Sequence, residues 1–243
     1  MRALITGIGW VNSNTMGCGR EHQGFEIMPG RLLRITRKTI SEAPYQRFGR
    51  MDRFSKLGLG AIAFALKDAG LEKWKHKRNI GIVASTIYGC LGTDVSYFDT
   101  VIPQGGRLAS PNLFAYTLPN SFLGEAAIHF GLSGNSYIIS SSCASRLQSL
   151  KMAMIGLDSG ASEKVLSGVC DLECPDLLAA TGKETQEIPG ALFFMIEKIS
   201  KNTGPAYGEL SLDRKNVLRF NGRKVTDLVR LVRSCLAVGH AQG

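Results

Sequence analysis

The sequence GLSGNSYIISSSCASRLQSL, residues 131–150, combines a glycine-containing turn, a short apolar β-type run and the start of an amphipathic helix. Three serines lead from the apolar run to Cys143, and the helical pattern begins at Ala144. A residue at such a strand-to-helix junction lies at a helix N-terminus, where unpaired backbone N–H groups and the helix dipole favour an anion. The pattern therefore predicts a nucleophilic Cys143 thiol with a lowered pKa. The alternative interpretation is a small buried cysteine, the commonest fate of a free thiol.

Length and composition predict a soluble globular protein with one good core. The chain has 243 residues, of which 44% are hydrophobic and 20% charged, and both fractions are ordinary for a globular domain. No apolar run approaches the ~20 residues of a membrane span. The N-terminal MRALITGIGWV is interrupted by Gly7 and Gly9, which favours a first strand over a signal peptide. Six scattered cysteines favour reduced thiols and therefore a cytoplasmic location.

The strong positive charge predicts acidic partners. The formal net charge is +9 and the pI is about 9.4, so nucleic acid and a small acidic carrier protein are both candidates. The basic residues are not interleaved with aromatic ones as in a nucleic-acid motif, and we expect no nucleic-acid partner. They concentrate in residues 31–38, 73–78 and 214–233. For each stretch, a solvated surface is the alternative interpretation.

Strand-like and helix-like patterns alternate along the chain. Predicted strands cover residues 3–9, 79–85, 137–139, 164–168, 190–197 and 207–212, and the clearest predicted helices cover residues 51–70, 121–129 and 144–160. This alternation predicts an α/β fold with a mainly parallel sheet. The last two strands are expected to close the edge of the sheet as an antiparallel pair. GIGWVN, residues 7–12, is not a dinucleotide-binding fingerprint, because Asn12 replaces the third glycine and no helix follows.

In their order and spacing, these segments resemble the N-terminal half of a β-ketoacyl synthase, over residues 1 to about 212. The segments that carry the resemblance are ITGIGWV (5–11), RMDRFSKLGLGAIAFALKDAGL (50–71), NIGIVAS (79–85), LPNSFLGEAAIHFGLSGNSY (118–137), SSSCASRLQSLKMAMIGLDSGASEKVLSGVCD (140–171) and IPGALFFMIEKISKNTGPAYGEL (188–210). The resemblance implies half of a thiolase-like fold, with a mainly parallel five-stranded sheet and helices on both faces. It divides the chain into a ketoacyl-synthase N-terminal-like domain, 1–212, and a basic, partly helical tail, 213–243.

The resemblance places Cys143 on the family's acyl-accepting cysteine and implies no metal and no cofactor. It also implies that the family's two active-site histidines, and part of its oxyanion hole, belong to a second half that this sequence does not contain. His22, His76 and His129 do not match those histidines, and His240 in VGHAQG only echoes their Gly-His-Thr setting. The loop over residues 171–189 is much shorter than in the family.

Two functional hypotheses follow, and a third rests on residue spacing. In the first, Cys143 accepts an acyl group from a thioester of acyl carrier protein or coenzyme A, without completing a condensation by itself. In the second, the chain is a non-catalytic or chain-length-factor-like partner, in a homodimer or in a heterodimer with a ketosynthase. In the third, Cys170 and Cys174 supply two metal ligands, but no second pair completes a four-ligand site.

Overall fold

A computed structural model describes residues 1–21, 24–28, 30–41, 45–140, 146–172, 190–200 and 203–239. The strands are β1 (Arg2–Val11), β2 (Met16–Cys18), β3 (Ile80–Thr86), β4 (Ser136–Ser140), β5 (Lys164–Asp171), β6 (Gly190–Lys198), β7 (Gly208–Leu212), β8 (Leu218–Phe220) and β9 (Arg223–Lys224). The helices are α1 (Arg37–Ile40), α2 (Arg53–Asp68), α3 (Leu91–Val101), α4 (Pro111–Phe114), α5 (Ser121–Phe130), α6 (Gln148–Asp158) and α7 (Leu228–Gly239). Two 3₁₀ turns, Gln46–Gly49 and Ile102–Gln104, complete the described elements. None of the helices in these ranges is long and apolar enough to cross a membrane.

The strands form one mixed sheet with the order β4-β3-β5-β6-β1-β7-β8-β9, and β2 pairs with β1. Parallel pairing joins β3 to β4 and to β5, and the other described pairs are antiparallel. The expectation of a mainly parallel, five-stranded sheet therefore applies to three neighbouring strands. The physical reason is connectivity, because the chain passes from β3 to β4 and from β4 to β5 through helices that return it in the same direction, whereas β6 and β7 both run antiparallel to β1 between them.

The predicted pairing of the two late strands is wrong, because β1 lies between them. Ala3 pairs with Lys198 of β6 on one side and with Leu210 of β7 on the other. Most of β1 is buried, and a strand in the middle of a sheet needs a hydrogen-bonding neighbour along each edge. The N-terminal strand β1 therefore separates β6 from β7 and pairs with both.

Helices α2 and α5 cover one face of the sheet. Asp52 accepts a hydrogen bond from the Ser55 backbone N–H at 2.8 Å and so caps the N-terminus of α2. Gly9 lets α2 approach β1 closely, because a Cβ there would overlap the backbone of Ala61 and Ala65. Phe122 of α5 packs edge-to-face on Phe54, with ring centroids 5.4 Å apart. The apolar patterns predicted for α2 and α5 are confirmed.

Helices α6 and α7 belong to the hydrophobic core on the other face, so the expectation of helices on both faces is confirmed. Leu150 and Met154 of α6 are buried there together with Leu231 and Cys235 of α7. Strand β8 extends the sheet beyond β7. The described part of the tail, residues 213–239, therefore packs on the same core as the preceding chain, and the division at residue 212 stays a prediction.

Candidate functional site

The carboxyl ends of β3, β4 and β5 lie side by side at one end of the sheet. Strand β3 lies between the other two and runs parallel to both. The chain therefore leaves β3 toward one neighbour and returns on its other side. In open α/β sheets, ligands bind in the crevice at such a reversal of strand order, beyond the carboxyl ends of the strands. The crevice beyond these three carboxyl ends is the candidate functional site.

Asp171, the last residue of β5, connects the elements that form the candidate site. Its Oδ1 accepts hydrogen bonds from the Thr86 hydroxyl at 2.8 Å, the Ile87 N–H at 2.8 Å and the Tyr88 N–H at 3.1 Å. Its Oδ2 lies 3.0 Å from Nη1 of Arg146, and both side chains are almost completely buried. Burial raises the pKa of the Asp171 carboxyl, although Arg146 and the three donors act in the opposite direction. One carboxylate thus joins the end of β3, the end of β5 and the chain just before α6.

Arg146 has a left-handed backbone with φ of 50°. A non-glycine residue in this region costs free energy and persists where the surroundings hold it; here the buried ion pair with Asp171 does so. Ser140 ends β4, and Arg146 is the next described residue. Cys143, the predicted nucleophile, lies outside the described residues. Helix α6 begins at Gln148 and not, as expected, at Ala144, because Arg146 has a left-handed backbone. The role of Cys143 stays a prediction.

A basic cavity lies beside the candidate site. Its volume is about 780 Å³, and Leu172, which directly follows Asp171, forms part of its apolar wall. Five cationic side chains and no carboxylate line it among the described residues: Arg31, Arg34, Arg37, Arg53 and Lys56. Burial lowers the pKa of Lys56, and repulsion from Arg34 lowers it further, against the attraction of Asp52. Closely placed like charges on apolar walls suit a phosphate-bearing or carboxylate-bearing ligand.

The four described cysteines are chemically protected. Cys18, Cys90, Cys170 and Cys235 are unpaired and buried. Burial, followed by the charge of Asp68, raises the pKa of Cys18 to about 11, and burial with Asp94 raises the pKa of Cys90 to about 12. Since the thiolate is the nucleophile, these four thiols react slowly near neutral pH. A reactive thiol on this protein would therefore be Cys143 or Cys174, which both lie outside the described residues.

The remaining candidate residues that the structure describes do not lie at the candidate site. His129 stacks on Tyr45, with ring centroids 4.1 Å apart, and burial lowers its pKa. His76 is exposed in a turn. His22 and His240 lie outside the described residues, as does Cys174. The Cys170 thiol donates to the Phe54 carbonyl at 3.8 Å inside the core, and no group of three or more metal-ligating side chains occurs in the described part of the chain.

Sequence reasoning missed Asp171 and Arg146 as members of the site. Both are charged residues next to apolar segments, a placement that composition alone does not distinguish from a loop. The informative signal is topological, because Asp171 ends a buried parallel strand and the carboxyl ends of such strands lie together. For the basic stretch 31–38, interpretation as a plain solvated surface misses that three of its arginines line a cavity. In the stretch 73–78, the Arg78 guanidinium donates to the carbonyls of Leu71 and Phe130.

Comparison with known proteins assigns the family. The family model for the N-terminal domain of β-ketoacyl synthases matches residues 36–185. The tetracenomycin polyketide synthase ketoacyl synthase α subunit of Streptomyces glaucescens is 28% identical over 221 residues, covering 76% of this chain and 51% of that protein. The 3-oxoacyl-[acyl-carrier-protein] synthase 2 of Vibrio cholerae is 28% identical over 120 residues, covering 49% of this chain and 29% of that protein. The matches thus span about half of these relatives or less.

Solved structures share the fold. The ishigamide ketosynthase/chain length factor aligns with a TM-score of 0.69 at 17% identity, covering 86% of this chain and 62% of that chain. A chain from the complex of the ketosynthase ApeO with its chain length factor ApeC, from Xenorhabdus doucetiae, aligns with a TM-score of 0.59 at 18% identity, covering 83% of this chain and 81% of that chain. The fold is thiolase-like. The chain belongs to the β-ketoacyl synthase family and contains the family's N-terminal domain.

Proposed function

We propose that this protein is a ketosynthase-like subunit that pairs with a second chain of ketosynthase fold, in the manner of a chain length factor. The observation that carries the proposal is the open edge of the sheet at β4. This strand pairs with β3 on one side, and no described strand pairs with its outer edge. An open edge presents backbone N–H and C=O groups ready to pair with another strand.

An exposed apolar surface on α3 and α4 supports the same proposal. Phe98 on α3 is 58% exposed, and Phe114 on α4 is 61% exposed. Tyr97 joins the two helices, since its ring centroid lies 5.5 Å from that of Phe114. The exposed apolar side chains of this region also include Val95, Ile102, Leu108 and Leu118. A group of this size on neighbouring elements is typical of an interaction surface.

The comparisons favour a ketosynthase-fold partner over an unrelated one. The match to the ApeO–ApeC complex covers nearly equal shares of this chain and of the matched chain, so the two chains are similar in length. In that complex, a ketosynthase is bound to its chain length factor. The matched chain is therefore a precedent for a protein of this length that is part of a complex between a ketosynthase and its chain length factor.

Pairing is tested by measuring mass in solution, for the protein alone and after co-expression with a type II ketosynthase. We expect a homodimer or a heterodimer, which differ in mass. The double variant Phe98→Asp, Phe114→Asp should be a monomer under the same conditions. The control Ile199→Asp changes an exposed residue outside this surface and should pair as the wild type does. A wild-type protein that stays monomeric with and without the ketosynthase would contradict the proposal.

A second candidate function is acyl transfer to Cys143, favoured by its place in the sequence between β4 and the residue that Asp171 holds. The Cys143 sulfur would attack the carbonyl carbon of an acyl thioester. A new carbon–sulfur bond would form, the bond to the donor sulfur would break, and the proton of the cysteine would end on the released donor thiol. This exchange requires no metal and no cofactor.

The donors we propose are thioesters of acyl carrier protein or coenzyme A, because both are anionic and the basic cavity lies beside the site. We place the reaction in the cytoplasm, in keeping with the unpaired thiols of Cys18, Cys90, Cys170 and Cys235.

Acyl transfer is tested by the intact mass after incubation with acyl-coenzyme A, acyl carrier protein and a small uncharged acyl thioester. We expect one added acyl group, absent in Cys143→Ala. The double variant Arg34→Gln, Lys56→Gln should slow acylation by the two anionic donors and leave the uncharged donor unaffected. Absence of an adduct with all three donors would rule out acyl transfer and leave the pairing proposal standing.

A further inference from the structure

A second basic cavity lies in the part of the chain that follows the residues matched by the family. It lies between the β8–β9 hairpin and α7, and its volume is about 790 Å³. The family match ends at residue 185, and this cavity is lined by residues between 220 and 238. Its size falls within the range of pockets that enclose small organic ligands.

Cationic side chains approach the cavity from both walls. Arg223 and Lys224 come from the hairpin, and Arg230 and Arg233 from the helix. Arg230 lies 3.4 Å from Asp227 and is partly neutralised. In the described part of the chain, Arg223, Lys224 and Arg233 have no carboxylate within ion-pair distance. The cavity therefore carries an excess of positive charge.

Cations from the hairpin and from α7 line the same cavity and repel one another in the absence of an anion. Arg223 pairs with Phe220 across the hairpin, so the two side chains lie on one face of it, the face that lines the cavity. Arg230 and Arg233 are three residues apart and share one face of α7. A bound anion would convert this repulsion into attraction, and arginine in particular suits a phosphate, which it binds with two parallel hydrogen bonds.

The remainder of the lining is apolar. Phe220, Val225 and Leu231 are almost fully buried beneath the cavity, and Ala237 and Val238 continue the surface along α7. Both walls are fixed by the fold, since β8 pairs with β7 and α7 packs through Leu228 and Val232. An inorganic anion would leave the accessible surface of Ala237 and Val238 in contact with water, whereas a ligand with a hydrocarbon portion would cover it.

We propose that the cavity between the β8–β9 hairpin and α7 binds a phosphate-bearing amphiphile, with the phosphate between Arg223 and Arg233 and the hydrocarbon chain along Ala237 and Val238. The ligand class is shared by phospholipids and by phosphorylated acyl carriers. The site is independent of Cys143 and of the basic cavity beside Leu172.

Calorimetric titration of the full chain with decyl phosphate, at low ionic strength and below its micellar concentration, tests the site. We expect saturable binding, with inorganic phosphate and decyl maltoside each weaker by about tenfold or more because each supplies one part of the ligand. Arg223→Gln, Arg233→Gln should weaken binding about tenfold or more. Ala237→Trp should also block binding, because it fills the cavity from an exposed position.

The matched control is Arg214→Gln, Lys215→Gln, which removes two exposed positive charges outside the cavity lining. This variant should bind decyl phosphate as the wild type does. Titration with coenzyme A and with lysophosphatidic acid then distinguishes the two sources of the ligand. The proposal is overturned if the wild type shows no saturable binding or if the control variant loses as much affinity as the cavity variants. Equal affinity for a single-stranded oligonucleotide, with the same sensitivity to the cavity variants, would also overturn it.

Discussion

Asp171 shows how one buried carboxylate holds the ends of separate elements in place. It accepts from a side chain and two backbone groups after β3 and pairs with Arg146 before α6. The apolar run of β5 was readable from the sequence. The ion-pair partner of Asp171, Arg146, lies about 25 residues away in the chain, and its hydrogen-bond partner Thr86 about 85 residues away. Periodicity contains no information about such distant contacts. The sequence therefore predicts a cysteine at a strand-to-helix junction, which stays a prediction, and it does not predict the charges that join the ends of β3 and β5 to the chain before α6.

At this residue scale, we expect Asp171→Ala to lower the free energy of unfolding by about 3 kcal/mol or more. The substitution removes the carboxylate that offsets a buried guanidinium and leaves three donors without their acceptor. The control is Glu209→Ala, which breaks an exposed ion pair with Arg2 at 2.8 Å and should cost less than about 1 kcal/mol. Urea unfolding measures both, and equal losses would show that the buried pair contributes no more than the surface pair.

A second prediction at this scale concerns alkaline pH. The raised pKa values of Cys18 and Cys90 mean that the unfolded chain loses these protons at lower pH than the folded chain. Folding stability from these groups is therefore present below the unfolded pKa of about 8.5 and is lost as pH rises toward 11 or 12. Each thiol should contribute a decrease of about 1.4 kcal/mol per pH unit.

Urea unfolding under reducing conditions from about pH 8 to about pH 10 measures this slope. The double variant Cys18→Ala, Cys90→Ala is the control, because it lacks both thiols and should show a shallower decrease. A variant with the same slope as the wild type would mean that other groups dominate the alkaline loss.

The elements themselves were largely visible in the sequence, whereas their order in the sheet was not. The helices at α2 and α5 followed from apolar spacing and from end signals such as Gly131, which has a φ of 63°. Strand order depends on which strands have both edges available, and β1 accepts neighbours almost 200 residues away in the chain. The expected hairpin of residues 190–212 failed for that reason.

At the element scale, Gly9→Ala should separate α2 from β1. The new methyl group would overlap the backbone at Ala61 and Ala65, and such overpacking costs about 1–3 kcal/mol or more. Gly124→Ala on α5 is the opposite case, because nothing lies within 4 Å of its added Cβ; it should stabilise the helix by about 0.5–1 kcal/mol. Thermal unfolding of the two variants should show shifts of opposite sign, and a destabilised Gly124→Ala would contradict this account.

For the whole molecule, the tail is the part whose role changed most between sequence and structure. Its basic character and helical stripe were evident from residues 213–243. Its burial was not, because the helical stripe of α7 and the short strand β8 do not show which surface they cover. The described residues place that stripe on the same core as β1 and α6.

We therefore expect a chain truncated after Leu212 not to fold. Truncation would remove seven side chains from the core on this face: Leu218, Phe220, Val225, Leu228, Leu231, Val232 and Cys235. At about 1.5–3 kcal/mol for each large apolar side chain, the loss matches or exceeds the whole stability of a typical domain, about 5–15 kcal/mol. Circular dichroism and solubility provide the test, and a truncated protein with an unchanged melting temperature would establish the tail as a separate unit.

The central position of β1 also determines when this protein can fold during its synthesis. Strand β1 precedes its neighbours in the chain. Its last three residues pair with the nearby β2, but β6 and β7, which pair along the rest of it, lie near residues 190–212. At about 5–20 residues per second, a ribosome needs about 10–40 s to make the intervening chain. Throughout that interval, most of the apolar strand β1 lacks the two strands with which it pairs along its length. The order of synthesis therefore leaves β1 incompletely paired for most of translation, the condition in which an apolar strand is prone to aggregate and a molecular chaperone is useful.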